Sequence, residues 1–187
     1  MIQSDSGSAF KPPLELFKFC PRCGKKGFSP QDVNCLKCPS CGFIYYLNPA
    51  SSVIAIIRNR EDQILFTRRR FEPHIGKLDL PGGFVDFDET LEEALQREIK
   101  EELNIEVQEL TYYGSFSTKY PYKQVIYQPL DAVFECSIKS WDGLKPCDDV
   151  AEICFRSPWE ITFEELAFSS NCLILENLRK MKHRSNS

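Results

Sequence analysis

The chain has 187 residues, 42% of them hydrophobic, and its 23 basic and 27 acidic side chains leave a formal net charge of −4. That length and apolar content suit one ordinary domain with a small appendage, soluble and globular, with enough apolar residues for a real core. The negative balance argues against general attraction to nucleic acid or to an anionic membrane, while leaving room for a local basic patch.

No apolar run approaches membrane-spanning length, and the opening MIQSDSGSAF has neither the basic flank nor the apolar centre of a secretory leader. The expectation is a cytoplasmic protein with no membrane partner, whose residues 1–15 are flexible. Nine cysteines fit poorly with disulfides, because the number is odd and five of them fall between residues 20 and 41. Cys20-Pro-Arg-Cys23-Gly and Cys38-Pro-Ser-Cys41-Gly are two matched knuckles fourteen residues apart. Two such turns bring four thiolates together around tetrahedral Zn²⁺, and each following Gly lets backbone amides approach the sulfurs. Residues 16–48 are therefore read as a zinc ribbon stabilised by its metal. Cys35 lacks the paired spacing and is a spare; Cys136, Cys147, Cys154 and Cys172 are scattered and read as small buried hydrophobes. With few basic residues and limited aromatic partners, the ribbon is expected to serve as scaffold or homodimer element, and nucleic acid is not the expected partner.

The run Ser52 to Ile57 is continuously apolar and reads as a strand buried on both faces. Gln63 to Arg69 is the next strand, and Asn59-Arg60-Glu61-Asp62 between them is a turn, so the pair is predicted to form a hairpin. Arg68, Arg69 and Arg70 place three cations where phosphate oxygens would be met, with ordinary surface charge as the alternative. His74 stands alone and needs no role.

Pro81-Gly82-Gly83 is a turn leading into a helix over about 90–103. Thr90 and Glu93 fit a capping box, and Asn104 can take the left-handed conformation that ends it. At about 100° per residue, Leu91, Leu95, Glu98 and Glu102 fall on one side, while Glu92, Glu93, Gln96 and Lys100 take the other. Two carboxylates on an apolar stripe repel one another and resist burial, and a hard divalent cation resolves both problems. Glu101 borders the same cluster.

Gly83, five residues to Glu89, seven to Arg97-Glu98-Ile99, then Glu101-Glu102, Asn104 and Ile105: this spacing resembles the signature of the Nudix hydrolases, with Asn104 where that family has Gly. The resemblance implies a three-layer α/β/α sandwich with a mixed β-sheet over residues 49–183, preceded by the ribbon. It also implies that Glu98, Glu101 and Glu102, with the carbonyl of Gly82, hold Mg²⁺ or Mn²⁺, and that Arg97 pairs with Glu89 to fix the loop on the helix beside Gly83. By the same resemblance Arg69, ending a Thr-Arg-Arg strand, is the phosphate contact.

Glu106 to Thr118 and Gln124 to Ile138 are β-leaning and separated by a Tyr120-Pro121-Tyr122 turn. Phe84, Tyr120 and Tyr122 are all candidates to stack on a substrate base. Nudix enzymes often bring one further acidic residue to the metal or the attacking water, and its position here is Asp149, with Glu152 the alternative and a solvated loop carboxylate open for each. The stretch from Trp159 through Glu176 to Lys182 contains a helix of the second helical layer.

Ribbon plus signature is similar to the NADH pyrophosphatases and to ribbon-bearing Nudix hydrolases acting on FAD or ADP-ribose, some of which share Asn-Pro after the ribbon and Leu-Ala-Phe-Ser-Ser near the end, here Leu166 to Ser170. Ser115 to Tyr122 reads SFSTKYPY, unlike the Ser-Gln-Pro-Trp-Pro-Phe-Pro of the NADH enzymes, which weighs against NADH. The implied activity is metal-dependent hydrolysis of a pyrophosphate bond in a nucleoside diphosphate linked to another moiety, releasing a nucleoside monophosphate. The alternatives are a housecleaning nucleoside triphosphate pyrophosphatase and a non-catalytic nucleotide-sensing module.

Overall fold

The computed structural model describes residues 13–122 and 125–185 and divides into two compact units. One holds the ribbon, residues up to Pro49, together with Lys119–Gln128; the other holds Ala50–Thr118 and the chain from Pro129 onward.

In the ribbon unit, one turn of helix α1 (Pro13–Leu16) precedes a three-stranded antiparallel sheet in the order β1 (Ser29–Asp32), β2 (Cys35–Lys37), β3 (Ile44–Tyr46). Leu14 packs with Phe28 and Leu36 beside Cys20 and Cys38, so the ribbon core takes in a residue two positions before the expected boundary at residue 16. The expectation for residues 1–12 lies outside the described residues.

The larger unit is built on β4 (Ser51–Ile57), which is buried along all but its first residue, as its apolar run requires. Its side chains alternate: Val53, Ala55 and Ile57 enter one core, Ile54 and Ile56 the other. The predicted hairpin with β5 (Ile64–Arg69) does not form. One bridge joins Arg58 to Ile64, with Asn59 Oδ1 accepting from the backbone of Glu61 and Gln63, and the strands then separate into different sheets. Both strands are apolar enough to be covered on two sides, so each takes its own partners. β5 lies between β6 (Leu78–Asp79) and β12 (Val150–Arg156), all antiparallel.

β4 lies between β7 (Gly82–Phe84) and β11 (Leu130–Ile138) in a four-stranded sheet completed by β8 (Val107–Ser117). The β4–β11 pairing is parallel and the other two antiparallel, giving the expected mixed sheet. Helix α2 (Leu91–Leu103) covers the first core through Ala94, Leu95, Ile99 and Leu103. Helix α3 (Ser169–Ser185) covers the second through Ile174, Leu175 and Leu178. Helix, strands and helix thus form the three layers.

The expected Tyr120-Pro121-Tyr122 turn is instead strand β9 (Tyr120–Tyr122), paired antiparallel with β10 (Val125–Tyr127). The expected single strand from residue 124 is interrupted before β11, and Gln124 lies outside the described residues. Among the described residues no helix is long and apolar enough to cross a membrane.

Candidate active site

The turn into α2 is set by close backbone approach. Gly82 has φ +144°, and a side-chain carbon there would overlap the carbonyl of Val53, so only glycine fits against β4. Gly83 sits beneath Glu98, where a side-chain carbon would collide with the carboxylate. Thr90 caps α2 through a complete capping box with Glu93. Asn104 closes the helix in the left-handed conformation (φ 56°), and its side-chain nitrogen donates to the carbonyl of Gly143 at 3.0 Å. Asn thus supplies the backbone geometry that Gly provides elsewhere and adds a tie to the loop before β12.

Glu102 retains 7% of its exposure, and the side chain of Glu98 retains 15%. Burial pushes the Glu102 carboxyl well above the usual carboxylate range, reinforced by the negative charges of Asp149 and Asp79, while the Gly82 N–H, donating to Oε2 at 3.1 Å, acts against this. Glu98 is also raised by burial, opposed by Arg97 and reinforced by Glu101 and Asp149. Arg97 is the organiser. Its guanidinium donates to both oxygens of Glu89 at 2.7 and 3.0 Å, to the carbonyl of Phe84 at 3.0 Å, to Glu98 at 2.9 Å and to Glu101 at 3.1 Å. The loop after β7 is thereby locked onto the helix.

Asp149 lies near enough for its charge to act on Glu98 and Glu102, on a segment that is held twice. Cys147 N–H donates to the Glu102 carbonyl, and Arg70 grips the carbonyls of Asp148 and Val150 while its own N–H donates to the carbonyl of Asp149. Glu152 lies elsewhere, in an exposed pair with Arg68 across β5 and β12 at 2.8 Å. All three arginines of 68–70 are therefore engaged within the protein.

Arg69 is largely shielded from solvent in an ion pair with Asp79 at 3.0 Å, donates to the Pro73 carbonyl at 2.8 Å and lies over the Phe168 ring. Asp79 also accepts from Asn171 at 2.7 Å, and burial raises its carboxyl against those partners. This cluster escaped the sequence reading. Its signal was a lone Asp between Leu78 and Leu80, and an Asn on the apolar stripe of α3. Phe84 projects half exposed directly after the Gly82-Gly83 turn. Tyr120 belongs to the ribbon unit, and the side chain of Tyr122 lies outside the described residues.

In the ribbon, the sulfurs of Cys20, Cys23, Cys38 and Cys41 all lie within 4.8 Å of one another, with Cys20–Cys41 at 3.8 Å and Cys23–Cys38 at 3.7 Å. Tetrahedral Zn²⁺ with bonds of about 2.3 Å requires sulfurs about 3.8 Å apart, so the donor set fits. Burial opposes ionisation of Cys38, but the backbone N–H groups of Cys41 and Ser40 outweigh it and bring that thiol down to about 6. Cys35 is buried in β2 with its sulfur toward the Leu36 carbonyl, apart from the four.

The NUDIX domain model matches residues 48–172, two thirds of the chain, and the chain belongs to that family. It is 34% identical over 114 residues to the NAD-capped RNA hydrolase NudC of Haemophilus influenzae, covering 60% of this chain and 43% of that protein. A protein of the same name from Pseudomonas aeruginosa is 29% identical over 109 residues, covering 58% and 38%. The chain thus spans less than half the length of these relatives. Among solved structures, a NUDIX hydrolase from Nitrosomonas europaea superposes with a TM-score of 0.61 at 27% identity, over 82% of this chain and 85% of that one.

Proposed function

We propose that this chain is a Nudix hydrolase that cleaves a pyrophosphate bond within a nucleoside diphosphate linked to a second group, releasing a nucleoside monophosphate. The observation carrying this reading is the burial of Glu98 and Glu102 on the packed side of α2, against the Gly82-Gly83 turn and within the field of Asp149. Carboxylates kept at that cost in burial and repulsion suit a hard divalent cation. Glu98, Glu101, Glu102 and the Gly82 carbonyl would hold Mg²⁺ or Mn²⁺, and four cysteines would hold Zn²⁺. The catalytic cation would draw charge from the bridging phosphates and lower the pKa of a bound water. Arg97 and Glu89 keep the donor loop in place, and Asp149 is the favoured acceptor for a proton from the attacking water, because Glu152 is paired with Arg68. Phe84 offers an exposed ring beside the turn for a base to stack upon.

Similarity to NAD-capped RNA hydrolases supports a substrate with a dinucleotide end, and it keeps NAD-linked nucleic acid in consideration despite the expectation that nucleic acid is not a partner. The test is turnover of FAD, ADP-ribose, NADH, an NAD-capped oligonucleotide and nucleoside triphosphates with Mg²⁺, scored by product mass. Dinucleotide ends should be cleaved fastest, yielding a monophosphate. Preference for triphosphates would move the chain to the housecleaning class, and tight binding without turnover would make it a sensor.

A further inference from the structure

We propose that the ribbon is a docking surface for single-stranded RNA, a role separate from the hydrolytic reading of the larger unit. The ribbon buries few apolar side chains and leaves many in solvent. Phe19 and Tyr46 keep 61% and 60% of their exposure, Phe17 and Tyr45 are also exposed, and the Phe17 ring meets that of Tyr45 edge-on at 5.9 Å. Rings left outside so small a core mark a contact surface.

Charge selects the partner. Lys18, Arg22, Lys25, Lys26 and Lys37 are all exposed, and between residues 13 and 49 only Glu15 and Asp32 oppose them, a balance of +3 that Zn²⁺ on four thiolates would lower to +1 while leaving the cations on the surface. The cations are interleaved with the rings. Along the chain Lys18 stands between Phe17 and Phe19, Lys26 is bridged directly to Phe19, and Lys37 pairs with Ile44 on the side of β3 that also carries Tyr46, while Tyr45 takes the other side with Phe17. A twofold contact between copies through these residues would bring like-charged lysines together. A polymer that offers a flat base and a phosphate at each step satisfies both features, with bases on the rings and phosphates on the lysines. Duplexes hide their base faces, so the strand must be single, and similarity to NAD-capped RNA hydrolases points to RNA.

The experiment uses the full chain, zinc-loaded, and a fluorescein-labelled twelve-residue uridylate RNA without a cap, followed by anisotropy across a salt series. Three to five phosphate contacts predict a log–log salt slope between about −2 and −3.5, and Lys25→Ala/Lys26→Ala makes it shallower by about 1.4. Tyr46→Ala and Phe19→Ala each weaken binding about tenfold. Zinc content and hydrolysis of small dinucleotides stay at the unsubstituted level, so failure of the hydrolytic reading would show separately as absence of that turnover. The proposal is overturned by no binding at 50 µM protein and about 0.05 M salt, by equal binding of the variants, or by equal or tighter binding of duplex RNA or single-stranded DNA. A monomer–dimer equilibrium shifted by Tyr46→Ala would assign the face to a second copy and also overturn it.

Discussion

Gly83 lies so close beneath the carboxylate of Glu98 that no side-chain carbon fits between them. The two neighbouring glycines therefore fail differently when substituted. Gly83→Ala forces Glu98 off its position, where Arg97 holds it, and should lower kcat at least tenfold with a small change in melting temperature. Gly82→Ala meets backbone instead and must also adopt φ +144°, so it should destabilise the fold itself. Kinetics and thermal melts on the two variants check the contrast; full activity in Gly83→Ala would remove Glu98 from the chemistry.

Glu102 supplies a pH signature. Its carboxyl is raised in the folded protein, so folding favours the protonated form, and stability falls as pH rises from the unfolded carboxylate range through the raised folded value. Glu102→Gln removes that fall. In buffer without added magnesium or manganese, the melting temperature of the variant should exceed that of the unsubstituted protein near pH 8, and the gap should close toward pH 5. Turnover in the variant should drop by orders of magnitude; an active enzyme would sink the role given to this helix.

The sulfur geometry separates Cys35 from its neighbours. Metal analysis should find one zinc per chain, retained in Cys35→Ser and lost in Cys38→Ser. Equal loss in both would redraw the ligand set.

Arg69 has two readings with different readouts. Its largely shielded pair with Asp79 predicts that Arg69→Met costs about 2 kcal/mol in urea unfolding at pH 7, because Asp79 loses its counter-ion and keeps only Asn171 and the Leu80 N–H. The cost should shrink toward pH 5, where Asp79, already raised by burial, takes up a proton more readily. Unchanged stability with a raised KM would return Arg69 to the substrate phosphates.

Residues whose chemistry conflicts with their helical position were readable from sequence, and residues whose role depends on distant partners were not. Glu98 and Glu102 announced themselves by standing on an apolar stripe, and Asn104 by its capacity for the left-handed cap. The same logic applied to α3 would have found Asn171, which shares a stripe with Ile174, Leu175 and Leu178. The β4–β5 hairpin misled because the turn at Asn59 is real for one bridge, and only tertiary burial sends the strands to separate sheets. The second role of Arg69 was hidden because Asp79, ten residues away, is invisible as a partner until β5 and β6 pair. The exposed rings of the ribbon could not be seen either, since periodicity in a three-residue strand carries little information.

The parallel pairing of Ser51 through Ile57 with Leu130 through Cys136 imposes an order on synthesis. The greasiest strand of the larger unit leaves the ribosome roughly 80 residues before its central neighbour, and at about 5–20 residues per second it waits roughly 4 to 16 s without that neighbour. The four cysteines emerge within 22 residues of one another, so they can come together during the same interval. Nascent chains arrested between residues 60 and 130 would therefore carry a complete set of ribbon cysteines and an apolar strand without its parallel neighbour, the segment that a chaperone would grasp first.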